Sequence, residues 1–199
     1  MIEVEIKTKI SKPDLIKQKL KKIGGIYKLS LIHEDTYFNM PNGLRDFKKT
    51  DEALRLRKSI EFSKKDKTKS HKVNYFITYK GKKIDTSTKT RKEIELNIAN
   101  LEKMREILTV IGFQEVFTVV KERDLFIIEH KNHQITALID YLPLLKQFFM
   151  EIEYPCDSIN NINVHREILF SFLSHLGIDR KESITKSYLE LILEEVGVT

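Results

Sequence analysis

Met1-Ile-Glu-Val-Glu-Ile-Lys7 opens the chain and sets the question that the other strands answer. Side chains along a strand point alternately to opposite faces. Glu3, Glu5 and Lys7 therefore share one face, and Ile2, Val4 and Ile6 the other. The apolar face belongs against a core. A face carrying Glu, Glu and Lys either meets solvent or surrounds something ionic.

The same two-residue spacing of charge returns further along. Arg55 and Arg57 alternate with Leu54 and Leu56; Arg91, Glu93 and Glu95 with Lys92 and Ile94; Lys121 and Arg123 flank Glu122; Glu151 and Glu153 flank Ile152. Lys80 and Asp140 add single charges in strand-like segments. The wet side of an amphipathic sheet would explain any one of these. It explains the set less well, because solvated faces mix Thr, Ser, Gln and Lys, whereas pairs of one sign recur here. Amphipathic helices also need apolar sheet faces to dock on, which turns the charges toward the concave side. Closing eight antiparallel strands, fully or nearly, then gives a β-barrel with a polar lumen and helices packed outside.

The order of elements fits that picture. Ser11-Lys-Pro-Asp14 predicts a helix start capped by Ser11, with Leu15, Ile16, Leu20 and Ile23 on one face and Gly24-Gly25 as the stop. Strands are expected over 28–39, 52–62, 72–81 and 88–98. A helix through Leu101, Met104, Leu108 and Ile111 follows, ended by Gly112. Three more strands fit 114–129, 134–142 and 147–155, and two helices fit 163–176 and 184–196. Short connections between consecutive strands predict antiparallel pairing in an α+β fold, with residues 1–199 forming one domain.

Composition narrows the class. The 199 residues are 41% hydrophobic and 32% charged, the balance of a globular protein. No apolar run approaches the ~20 residues of a membrane helix. The single cysteine, Cys156, excludes an intramolecular disulfide, reads as a packing residue at a strand end, and suggests a reducing cytoplasm. A net charge of +6 suits an anionic partner. Lys64, Lys65, Lys67, Lys69 and Lys72 read as a solvated hairpin loop, since no aromatic interleaving supports nucleic-acid binding. His33, His71, His130, His133, His165 and His175 lack metal-ligand spacing and are taken as non-catalytic. A homodimer is compatible with all of this.

A lumen holding seven bases (Lys7, Arg55, Arg57, Lys80, Arg91, Lys121, Arg123) and seven acids (Glu3, Glu5, Glu93, Glu95, Asp140, Glu151, Glu153) gains nothing from burial itself. It stays wet or binds a ligand of matching charge. Arg and Lys grip phosphate oxygens, and carboxylates bind hard divalent cations that join them to a substrate's phosphates. Both sets together point to a metal-bound polyphosphate.

These segments, in this order, resemble the CYTH superfamily, also called triphosphate tunnel metalloenzymes. Glu3-Val-Glu-Ile-Lys7 is similar to its N-terminal signature, and Asp35-Thr-Tyr-Phe38, Leu54-Arg-Leu-Arg57 and Thr78-Tyr-Lys-Gly81 to its next three strand motifs. Arg91-Lys-Glu-Ile-Glu95, Lys121-Glu-Arg123, Asp140 and Glu151-Ile-Glu153 follow, and Lys186-Ser-Tyr-Leu-Glu-Leu191 looks like a C-terminal motif of the cyclase-type branch. Lys82 stands where Pro is often expected.

The resemblance implies an eight-stranded tunnel that binds a triphosphate-containing small molecule. By position, Lys7, Arg55, Arg57, Lys80, Lys121 and Arg123 would hold phosphate oxygens, with Arg91 beside them. Glu3, Glu5, Glu151 and Glu153, helped by Asp140, would hold one or two Mg²⁺ or Mn²⁺ ions. Glu93 and Glu95 would orient bases or join a second metal site. Glu3, Glu5, Lys7 and Lys80 would be the catalytic set. The family contains triphosphatases and class IV adenylyl cyclases, and hydrolysis of a triphosphate is the preferred reading. Cyclisation of ATP to cyclic AMP and a non-catalytic polyphosphate-binding module stay open as alternatives.

Overall fold

The computed structural model describes residues 2–62, 72–85 and 87–197. Its strands are β1 (Ile2–Ile10), β2 (Ile26–Asn39), β3 (Ala53–Phe62), β4 (Lys72–Lys83), β5 (Arg91–Ile98), β6 (Gln114–His130), β7 (His133–Leu142) and β8 (Gln147–Cys156). They close into an antiparallel barrel in the order β1-β5-β4-β3-β2-β6-β7-β8. Helices α1 (Pro13–Lys22), α2 (Phe47–Thr50), α3 (Leu101–Val110), α4 (Ile162–His175) and α5 (Tyr188–Glu195) surround it. Lys64, Lys65, Lys67, Lys69 and His71 lie outside the described residues, and Lys72 begins β4.

The apolar faces of the strands point outward, under the helices. Val4, Ile6, Ile139 and Ile152 pack with Leu20 of α1 and with Leu169, Phe172 and Leu173 of α4. On the far side Phe38, Leu54 and Leu56 pack with Leu108 of α3. Burying a side chain of this size contributes about 1.5–3 kcal/mol. Since alternate residues face opposite ways, covering Leu54 and Leu56 sends Arg55 and Arg57 into the lumen. The alternation seen in the sequence is thus resolved as inside against outside, except along β5, where Ile94 and Leu96 remain exposed to solvent.

Register then fixes which charges meet. Along β1 and β8, Glu5 lies opposite Glu153 and Lys7 opposite Glu151. Asp35 faces Arg57 across β2 and β3, Arg123 faces Asp140 across β6 and β7, and Lys80 faces Glu93 across β4 and β5. Among the described residues, β1 and β5 are matched only at Ile2 with Lys92 and Glu3 with Arg91. That short seam lies beside the acidic end of β1.

Several boundaries differ from the sequence expectation. Lys12 is the first cap of α1 and Ser11 makes no capping bond; Pro13, which needs no amide partner, starts the helix. Leu15, expected inward, is 45% exposed, so Ile16 and Leu20 carry the contact. Ile111 and Val196 are exposed as well. Residues 184–187 are not helical. Ile184 donates its amide to the Lys7 carbonyl, and α5 begins only at Tyr188, after the N-cap Ser187, whose side chain accepts from Glu190 N while the Glu190 side chain accepts from Ser187 N. The segment 87–90 is a loop, and β5 starts at Arg91. Cys156 is a buried free thiol at the end of β8. Among the described residues, no helix is long and apolar enough to cross a membrane.

Candidate active site

The lumen is a cavity of about 1200 Å³, whose lining also takes in residues of the Asp46–Ala53 stretch and of α5. Tyr188 and Ile192 of α5 bury themselves against Val119, Leu142 and Phe149, so the helix closes part of one end with an apolar plug. All fourteen charged residues expected in the lumen contribute to this region: twelve line the cavity directly, Lys7 is fully buried beside Tyr188, and Asp140 is fully buried under Arg123.

Its bases differ in how tightly they are held. Arg57 forks onto Asp35 at 2.6 and 2.8 Å, with Arg55 3.6 Å from the same carboxylate. Arg55 also donates to Thr78 at 3.0 Å and Glu95 at 3.3 Å. Arg123 forks onto Asp140 at 2.6 Å for both bonds and donates to Glu151 at 2.5 Å. Lys80 donates to Glu93 at 2.6 Å. Arg91 reaches the Asp51 carbonyl at 3.4 Å.

Lys7 and Lys121 are held differently, with ammonium groups 4.2 and 5.0 Å from the centre of the Tyr188 ring. Lys7 also donates to the Lys186 carbonyl, and Lys121 is 3.9 Å from Asp140. Burial and the neighbouring Lys89 ammonium push the Lys7 pKa down to about 7; burial and Arg123 push that of Lys121 to about 8. Two lysines whose charge is strained in this way have a reason to meet an anion.

On the acidic side, one carboxylate oxygen from each of Glu3, Glu5 and Glu153 lies within 4.8 Å of the others. Like charges directly opposite across a ladder destabilise it. Burial and Glu151 raise the Glu5 pKa to about 7, and burial and Glu3 hold Glu153 well above the usual carboxylate range. Burial and Glu93 raise Glu3 as well. Three hard-oxygen donors, Glu5 buried and Glu3 and Glu153 half-buried, that resist ionisation together are the donor set a hard divalent cation relieves, so the residues present fit Mg²⁺ or Mn²⁺. Glu151 behaves oppositely. Burial alone would raise it, but Lys89, Lys121 and Arg123 hold it well below its ordinary value. Glu151 and Asp140 are engaged with bases; Glu3, Glu5 and Glu153 converge on one another, with Lys89 also paired to Glu5 and Arg123 3.9 Å from Glu153.

Four lumen residues were not singled out as site residues from sequence. Asp35 holds both β3 arginines; its signal lay in the Asp35-Thr-Tyr-Phe38 segment, but His33 and Tyr37 beside it broke the run of charges. Tyr188 donates to Asp140 at 2.8 Å and supports the lysines with its ring. His33 is buried with no partner for Nδ1 among the described residues, and burial with Arg57, Lys121 and Arg123 keeps it neutral. Lys89 bonds both Glu5 and Glu151; it fell within the strand expected over 88–98 but was not read as a site residue, and the structure presents it from the loop before β5.

The CYTH domain profile matches residues 1–188. A Methanocaldococcus jannaschii protein described as a candidate adenylate cyclase is 40% identical over 191 residues, covering 96% of this chain and 98% of its own. Among solved structures, the PH1819 protein of Pyrococcus horikoshii superposes with a TM-score of 0.83 at 37% identity, covering 97% of this chain and 99% of its own. A Hippeastrum protein described as a candidate adenylyl cyclase with a dominant triphosphatase activity shares the fold, with a TM-score of 0.60 at 14% identity, covering 98% of this chain and 95% of its own.

Proposed function

Because the chain belongs to the CYTH family, we propose that it is a metal-dependent enzyme that hydrolyses a triphosphate drawn into the tunnel. The observation that carries this reading is the convergence of Glu3, Glu5 and Glu153 in the same lumen as Lys7, Arg55, Arg57, Lys80, Lys121 and Arg123. Binding an anion alone needs the bases; the three carboxylates add a cation, which counts against a mere binding module.

The residues divide the work. Lys7, Lys80, Lys121 and the arginines hold the phosphate oxygens and oppose the charge that builds on the leaving group. Glu3, Glu5 and Glu153 would hold Mg²⁺ or Mn²⁺, which supplies Lewis-acid neutralisation of the phosphates. Glu151 and Asp140, fixed by Arg123, keep the bases in position. Glu3 or Glu5 would orient the attacking water, directly or through the metal. Tyr188 and α5 restrict bulk water at one end of the tunnel.

A second reading, cyclisation of ATP, is favoured by the description of the 40% identical relative and by a cavity of about 1200 Å³, which has room for a nucleoside. The two readings separate in one assay. Inorganic triphosphate, thiamine triphosphate and ATP are incubated with Mg²⁺ or Mn²⁺, and phosphate, pyrophosphate and cyclic AMP are resolved. Phosphate is the expected product, lost in Glu153→Gln while the variant keeps its cooperative melt. Cyclic AMP as the main product of ATP would replace the hydrolase reading by the cyclase one. No turnover of any substrate would overturn both.

A further inference from the structure

We propose that Lys89 is a built-in counter-ion of the metal site, its ammonium holding a place among the carboxylates that a divalent cation takes over. The inference rests on the metal reading of Glu3, Glu5 and Glu153. Lys89 is the base that reaches this cluster within hydrogen-bond distance among the described residues: its Nζ donates to Glu5 Oε1 and, at 2.9 Å, to Glu151 Oε1. Arg123 stays 3.9 Å from Glu153 and spends its fork on Asp140.

The loop is built to hold the backbone of Lys89 still while leaving its side chain movable. Its amide donates to the Glu5 carbonyl at 2.9 Å, which fixes it against β1. Asp85 accepts from Ser87 N at 2.8 Å, Ser87 Oγ at 2.7 Å and Thr88 Oγ1 at 3.0 Å, and Arg166 of α4 clamps it at 2.6 Å. Ser183 donates to the Ser87 carbonyl at 3.1 Å. From that anchor the lysine stem, with four rotatable carbons and a point charge, swings more freely than a forked guanidinium.

Both ends of such a swing are favourable for a cation. In the carboxylate position, Lys89 neutralises Glu5 and Glu151, which burial would otherwise leave strained. On the other side lies the Tyr188 ring, 5.7 Å from Nζ and already shared by Lys7 and Lys121. A metal ion at Glu5 repels Lys89 away from the carboxylate, and the phosphates that accompany the metal offer it new acceptors. Loading metal and completing the phosphate grip are thereby coupled through one side chain.

The test is Mn²⁺ affinity in the absence of substrate, by electron paramagnetic resonance of free Mn²⁺ and by calorimetry, for the wild type, Lys89→Met, Lys89→Gln and Lys89→Arg. Removing a like charge a few ångströms from the ion tightens Mn²⁺ binding about tenfold or more in the Met and Gln variants. The Arg variant, which keeps the positive charge, gains no affinity. Thermal melts in EDTA and in Mn²⁺ give a second readout, with a larger metal-induced rise in Tm for the two neutral variants. Mn²⁺ binding by the wild type with equal or weaker affinity in both neutral variants overturns the role of Lys89 alone. No Mn²⁺ binding by any of the four proteins overturns the metal reading and this inference with it.

Discussion

Arg123 is where the negative charge of the lumen is gathered, forking onto Asp140 and reaching Glu151. All three side chains are at least nine-tenths buried, so truncating the arginine leaves two carboxylates without their main partner. Arg123→Ala is therefore expected to lower stability by about 3–5 kcal/mol, measured by urea unfolding in EDTA. A loss near zero would mean that Lys121, Lys89 and Tyr188 carry the pairing. Arg123 and Asp140 were both read from the sequence as lumen residues, Arg123 by its two-residue spacing from Lys121 and Asp140 as a single charge in a strand-like segment. Lys89 was not: the strand expected over 88–98 included it, but it stands in a loop before β5, and its partners Glu5 and Glu151 come from β1 and β8. Local sequence shows which way a strand residue points, but gives no direction to a residue outside a strand.

Among the elements, α1 illustrates how narrow the tolerance is where a helix meets the barrel. Gly24 takes a left-handed φ of +88°, and a Cβ on Gly25 would stand 2.7 Å from the Leu20 carbonyl and 2.9 Å from Ile128 Cγ1. Gly25→Ala is expected to cost about 1–3 kcal/mol through overpacking, read as a lower midpoint in chemical denaturation. Gly24-Gly25 was legible as a stop, but the reason for the second glycine was not, since Ile128 arrives from β6. The start of α5 was misread for a related cause. The spacing of Ile184 and Tyr188 suits a helix, yet the Ile184 amide goes to Lys7 and an isolated bridge joins Thr8 to Ser183. A partner remote in sequence outweighed the periodicity, and the helix waited for the Ser187 and Glu190 capping pair.

At the scale of the molecule, the strained charges should be visible as a pH dependence of stability. Lys7 and Lys121 fall to about 7 and about 8 in the folded protein, against 10.5 when unfolded. Above those values the unfolded chain holds more protons than the native one, so the metal-free protein gains stability as pH rises toward 10.5. Glu5 acts in the opposite sense: with its pKa raised from 4.5 to about 7, the native state holds the extra proton and stability falls as pH climbs through that window. Together these groups place a dip near pH 7 in melts performed with EDTA. Lys7→Met is expected to flatten the rising side, and an unchanged profile would count against the buried charge on Lys7. The closed barrel itself was legible, because alternation plus outer helices leaves the charges nowhere else to go; the brief β1–β5 seam was not, since strand lengths alone do not give the stagger. Closure has a kinetic side as well. β1 belongs to the first strand made and β8 to the last, and their ladder spans most of the chain. Loop-closure entropy makes such distant pairing slow and late. Glu3 and Glu5 meet Glu153 only when that final join is made, so the proposed metal site does not exist in a half-folded chain, even one that already carries all three carboxylates.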